Sequence, residues 1–229
     1  MGSSQHSAAL RHVFPSSLRA WLGRLRSAGP MLCRSSACLL LLIVSADAAA
    51  GANTPVEYVD EQTGVTVTIV ARPLVFAREH ATFNGGPAQA WSTPPRDYVT
   101  LAAVSVDRTG KISYLLIGYF WSVGVSQPWE NARLAREPLV LELKDRRISL
   151  TPQGGSARDA GISTPVHPPP VGQATAAVYA IDLPTLGLIA DSPHPLLYCG
   201  GESAPVKYEL FEDRLTALRE LVQRLSETN

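Results

Sequence analysis

Cysteine is scarce: the chain of 229 residues has three, and two of them, Cys33 and Cys38, sit in the first fifty positions. That leaves Cys199 alone, so no disulfide framework is expected, and in Leu196-Leu197-Tyr198-Cys199 the thiol reads as a small buried hydrophobe. An apolar run long enough to span a bilayer, about 20 residues, is also missing. The longest, Cys38–Val44 (CLLLLIV), is far shorter.

Catalytic signatures are absent in the same way. No G-x-S-x-G elbow or reactive-cysteine signature occurs, and His80, His167 and His194 lie in separate segments beyond the leader. No His-x-x-x-His, Cys-x-x-Cys or acidic calcium loop is present, so no metal and no cofactor is expected. Gly85-Gly86 and Gly200-Gly201 lack the lysine and the strand–loop–helix setting of a phosphate cradle. A carboxylate pair for glycoside chemistry, drawn from Asp97, Glu130 and Asp182, has no separation fixed by sequence. Lys/Arg clusters interleaved with aromatics are missing as well, which excludes the electrostatic footprint of nucleic-acid binding.

What is present at the start is a leader. Arg11, Arg19, Arg24, Arg26 and Arg34 precede the apolar run, no acidic residue occurs before Asp47, and small residues follow through Ala52. A basic region, a short apolar core and an Ala-x-Ala site (Ala46-Asp47-Ala48 or Ala48-Ala49-Ala50) describe a secretory signal peptide. Thirty residues before Met31 are too many for such a leader, so translation is expected to begin at Met31. An Arg- and Ser-rich organelle transit peptide is the rival reading. Residues 1–50 are therefore assigned to the signal peptide and a disordered extension, and 51–229 to one domain. After cleavage no transmembrane anchor is expected.

The leader also hides a charge imbalance. The full chain has 20 basic and 20 acidic residues. Five arginines and one aspartate precede Ala49, which leaves 15 basic and 19 acidic, a formal net charge of −4. About 180 residues remain, enough for one domain with a substantial core.

That domain reads as strands. Val65-Thr66-Val67-Thr68-Ile69 alternates with period two, and Leu74–Ala77 continues beyond Pro73, which marks a bulge, an edge or a break. Asp97–Val106 and Ile112–Val123 form a long hairpin around Asp107-Arg108-Thr109-Gly110, apolar on both parities from Tyr114 to Trp121. Both faces of that arm need cover. Trp121 is expected in the core or beneath the terminal helix.

Hairpin arms follow at Leu139–Leu143 and Ile148–Leu150, and further strands at Ala174–Asp182 and Leu186–Ala190. Ser126 is placed to cap a short helical turn through Leu134. Thr151–Gly172, with five prolines and four glycines in 22 residues, reads as a long irregular loop, functional or disordered. Over residues 209–226, Phe211, Leu215, Leu218, Val222 and Leu225 recur at spacings of 4, 3, 4 and 3, one apolar stripe on an α-helix. This helix is the one element suited to cover the second face of the long arm. The fold expected is mainly β: an antiparallel β-sandwich or open barrel with a C-terminal amphipathic α-helix packed on it.

Two tryptophans, Trp91 and Trp129, fall in Pro-rich loops, and His167 sits between Val166 and Pro168. These three are the candidate contacts for a partner or ligand, since exposed Trp is enriched at binding hot spots. Each Trp equally suits a plug at an end of the sandwich. Tyr58-Val59-Asp60, Leu74–Glu79, Asp97-Tyr98-Val99 and Tyr119-Phe120-Trp121-Ser122 together resemble a group of small exported bacterial proteins of unknown function. The resemblance implies an envelope location and no activity. The expectation is an exported protein, periplasmic or secreted, that binds an envelope partner and is not an enzyme. The alternatives are a small-molecule or lipid-binding β protein, which needs a cavity beneath Tyr114–Trp121, and a periplasmic hydrolase, which needs two histidines and an acid in one cleft.

Overall fold

In the computed structural model, residues 53–79, 95–124, 128–167, 171–201 and 205–228 are described. The first strands are β1 (Val56–Asp60), β2 (Val65–Ile69), β3 (Leu74–Glu79), β4 (Arg96–Arg108) and β5 (Lys111–Val123). A short helix α1 (Pro128–Leu134) leads to β6 (Leu139–Glu142), β7 (Arg147–Leu150) and β8 (Pro152–Gly154). A 3-10 turn (Ala157–Ala160) precedes β9 (Thr175–Ile181), and α2 (Leu183–Asp191), β10 (Leu196–Cys199), β11 (Val206–Glu212) and α3 (Leu215–Thr228) complete the chain. All pairings are antiparallel, in the order β7-β6-β10-β11-β3-β4-β5-β9-β8, with β1 on β2 and β2 on β4.

The sheet is nearly closed into a barrel, and the seam is one strand shared between both ends of that order. β7 pairs with β6, Thr151 follows, and β8 at once pairs with β9. β2 and β3 lie end to end along one edge of β4. Ile69 opposes Val104 and Leu74 opposes Leu101, so five steps on one strand match three on the other. The two surplus residues bulge at Val70–Pro73, where proline's missing N–H costs no ladder bond. Val70 N–H still reaches the Ala103 carbonyl at 3.0 Å.

Register sorts the core into two layers. Phe76, Val99, Leu116, Phe120, Tyr179, Leu141, Leu197 and Tyr208 share the interior face, each no more than 3% exposed. Val67, Val104, Val106, Leu115, Ile117 and Val178 share the outer face and are buried as well. The long arm is thus covered on both sides, as its two-sided apolarity requires.

The cover on the outer face is not the terminal helix. Residues 156–167, within the segment expected to be irregular, form a strap there, with Ile162 and Val166 buried in the core cluster. The strap is tied at three points. Ser163 donates to the Asp60 carboxylate through its N–H (2.6 Å) and hydroxyl (2.8 Å), the Tyr119 hydroxyl donates to the Val166 carbonyl, and His167 Nε2 meets the Val70 carbonyl at 2.6 Å. A carbonyl only accepts, so Nε2 carries the proton.

The helices instead close the interior. α3 and α2 pack together, and Leu218 and Ile189 join Leu74, Leu101, Leu116 and Leu141 around an apolar void of about 10 Å³. Two expectations need correction here. Leu186–Ala190 is helical, because Asp182 accepts from the Thr185 N–H at 2.7 Å as N-cap and Pro184 fits the first turn. The C-terminal helix begins at Leu215, since Phe211 and its neighbours are drawn into β11 by pairing with β3 and β10. Asp213 accepts from the Leu215 N–H at 3.0 Å where the strand gives way to the helix.

The β4–β5 turn is a two-residue connection with φ of 53° at Thr109 and 86° at Gly110. Both positions need the left-handed region, which suits glycine and penalises a β-branched residue. Thr109→Asn is therefore expected to stabilise the protein by about 1 kcal/mol, read as a melting temperature higher by roughly 2–4 °C. An unchanged or lower value would contradict a strained turn.

Candidate binding surface at one end of the barrel

Three strands finish together: Glu79 opposes Arg96, and Arg96 opposes Val123. Just inside this end lies a polar cluster. The Arg78 guanidinium donates to the Asp97 carboxylate (Nε at 2.7 Å), and the Ser122 hydroxyl donates to its other oxygen at 2.6 Å. Asn131, buried on α1, donates to the Ser122 oxygen at 3.2 Å. Asp97 is 2% exposed. Its charge is compensated at short range, as a buried carboxylate requires. The Arg78 guanidinium also lies 5.5 Å from the centre of the Tyr208 ring.

These inward contacts orient α1. Asn131 and Leu134 are its buried positions, which leaves Trp129 on the opposite side, 66% exposed. Glu130 pairs with Arg133 at 3.0 Å, and this guanidinium holds the carboxyl below its ordinary range. The outer face of the same end is aromatic. Tyr98 and Trp121, directly opposed on β4 and β5, stack with centroids 4.2 Å apart at 12°. The indole N–H donates to the Thr100 hydroxyl at 3.1 Å, and Trp121 packs part-buried against the core from the outer face. Phe211, at the β11 bulge, meets Tyr98 edge-on at 5.6 Å and is half exposed. Arg96 lies over its ring and pairs with Glu79 at 2.7 Å.

Beside Phe211 runs an open groove of about 460 Å³, lined by Ala77, Arg78, Glu79, Arg96, Lys207, Glu209 and Leu210. Among the described residues six large apolar side chains are exposed, and three of them, Val123, Trp129 and Phe211, belong to this end. The Arg96 Nε is buried with no hydrogen-bond partner among the described residues.

Of the sequence candidates, Trp129 stands at this end. His167 is held by the strap at the Val70 bulge with φ of 51°, and no described contact links it to Trp129. Trp91 and His80 lie outside the described residues, as does Ser126. His194 is exposed on the segment before β10. Sequence reasoning missed Phe211, placed in a helix stripe, and Arg78 with Asp97, whose sequence separation hides their pairing. The only signal was a charged residue at an interior-facing strand position.

Chemically, the arrangement holds groups in place. Ser122 donates straight to Asp97 with no imidazole between them. Cys199, inside the barrel and 2% exposed, is free, and burial pushes its thiol up to about 12, which keeps it in the unreactive form. Among the described residues no three His, Cys, Asp or Glu side chains come together as a metal set, and no helix is long and apolar enough to cross a membrane. Comparison with family models, curated proteins and solved structures gives no match.

Proposed function

We propose that the protein is an exported, non-catalytic binding module that presents the Arg96 end of its barrel to a partner in the cell envelope. Export is supported by the basic leader, its short apolar core and the Ala-x-Ala sites. The observation that carries the binding surface is the grouping of Val123, Trp129 and Phe211 at one end, beside a groove. Half-exposed Trp and Phe are costly to leave in water and are enriched where proteins bind. The interior void lined by described residues, about 10 Å³, is too small for an organic ligand, which favours this surface over an enclosed one.

A photo-reactive residue at position 129 or 211, irradiated in intact cells, is expected to give one discrete adduct. The same residue in place of Lys111, exposed at the start of β5 at the other end, is expected to give none. Equal adducts from both ends, or none from either, would overturn the assignment.

A further inference from the structure

We propose that the outer edge of β1 is an interface at which a second copy of this chain pairs, strand against strand. β1 has β2 as its strand neighbour, in five consecutive antiparallel pairs from Val56 opposite Ile69 to Asp60 opposite Val65. Successive residues of a strand turn their N–H and C=O groups to opposite edges, so only half of these groups reach β2. The rest meet no backbone partner among the described residues, apart from the turn bonds that the Asp60 carbonyl accepts from Thr63 and Gly64. Natural edges are commonly blunted by a lysine, a proline or a bulge. Val56–Asp60 contains none of the three. Its side chains add apolar surface, since Val56 and Val59 are two of the six large apolar residues exposed among those described.

Charge selects the occupant and its register. Glu57 and Asp60 are the charged residues of β1. A parallel copy in register would set each acid against itself, and an antiparallel copy centred on Glu57 would set glutamate against glutamate. Like charges directly opposed destabilise a ladder. An antiparallel copy centred on Tyr58 avoids both conflicts. It engages all five residues and places Glu57 against Val59, Asp60 against Val56, and Tyr58 against Tyr58. Both acids are also partnered within each copy: Asp60 accepts from Ser163, and Glu57 meets Arg224 of α3 at 3.2 Å. The pairing is two-fold and closes on itself, so it gives a dimer and not a filament. β2 joins β4 between residues 104 and 107, the half of that strand away from Arg96, so each dimer presents the Arg96 end twice.

The test uses the full chain with Cys33→Ser and Cys38→Ser, so that buried Cys199 is the one native thiol left. Sedimentation equilibrium at about 0.1 mM, where even a weak interface associates, is expected to show the mass of two chains. Val59→Glu sets an acid opposite Glu57 twice per dimer and is expected to weaken association about tenfold, whereas Val59→Lys leaves it as tight or tighter. Both fall on an exposed side chain, so the melting temperature is expected to stay unchanged. Oxidation then reads the register. Tyr58→Cys sets two thiols directly opposite, within disulfide reach, and is expected to cross-link the dimer. Val59→Cys, though at a more exposed position, holds its thiols on the diagonal, beyond that reach, and is expected to stay largely free. A monomer at that concentration, equal effects of Val59→Glu and Val59→Lys, or cross-linking of Val59→Cys at or above that of Tyr58→Cys would overturn the proposal. Any of these leaves the Arg96 surface standing, since adducts from positions 129 and 211 do not depend on β1.

Discussion

Asp97→Ala is expected to destabilise the barrel by about 3–5 kcal/mol, the usual cost of leaving a buried cation unpaired. Asp97 is the centre of its cluster: it receives Arg78 and Ser122, and Ser122 in turn receives Asn131 from α1. Removing it leaves one guanidinium over the Tyr208 ring without its anion and frees the hydroxyl that anchors the helix. Urea unfolding reads the loss as a lower midpoint at unchanged slope. The paired change Arg78→Met with Asp97→Leu removes both charges and is expected to recover most of the deficit, because well-packed apolar groups replace buried ion pairs at little cost. A loss below about 1 kcal/mol for Asp97→Ala would mean that water reaches the pair and screens it.

Ile162→Ala is expected to cost about 2–5 kcal/mol, the range for truncating a fully buried aliphatic side chain. Its contribution is local in kind. Ile162 is fully buried although it lies in a segment with little regular structure, so its loss loosens the strap on the outer face before the barrel opens. Protease cleavage within residues 156–167 should rise ahead of global unfolding in urea. Acid acts on the same strap through Asp60. Hydrogen bonds from Ser163, chiefly its N–H, hold that carboxyl below its ordinary value of 3.8. The folded form is thus favoured fully above that value, and the contribution fades as pH falls through the lower folded one. Cleavage of the strap should accelerate below about pH 4 and not between pH 6 and 8. Cleavage in the barrel strands first would refute a separately hinged strap.

The central hairpin, an irregularity at Pro73 and the burial of Cys199 could all be read from the chain. Each depends on neighbours in sequence or on a run of one parity. What escaped reading depends on distant partners. Phe211 obeys a helical spacing with Leu215 and Leu218, yet pairing with β3 and β10 outweighs that weak local preference and turns it outward. Leu186–Ala190 is apolar enough for a strand, but Asp182 caps the segment and Pro184 fits its first turn, so it is a helix. Residues 156–167 carry only two large apolar side chains that matter, Ile162 and Val166, too few to show a period. The candidate surface at the Arg96 end was half legible: Trp129 stands out in sequence as a lone aromatic in a loop, while Arg78, Asp97 and Ser122 assemble only across three strands.

The strand from Arg147 to Gly154 gives its first half to β6 and its second to β9, with Thr151 between them. β6 also awaits β10, and β9 comes later in the chain than either half, so nothing emerging before residue 175 can complete the ring. Closure is consequently a late, long-range event of the kind that makes β topologies slow to fold. Until it happens, the shared strand has only half its hydrogen bonds, and both open margins stay available to foreign strands. If the chain is exported as proposed, this favours crossing the membrane before the ring can form.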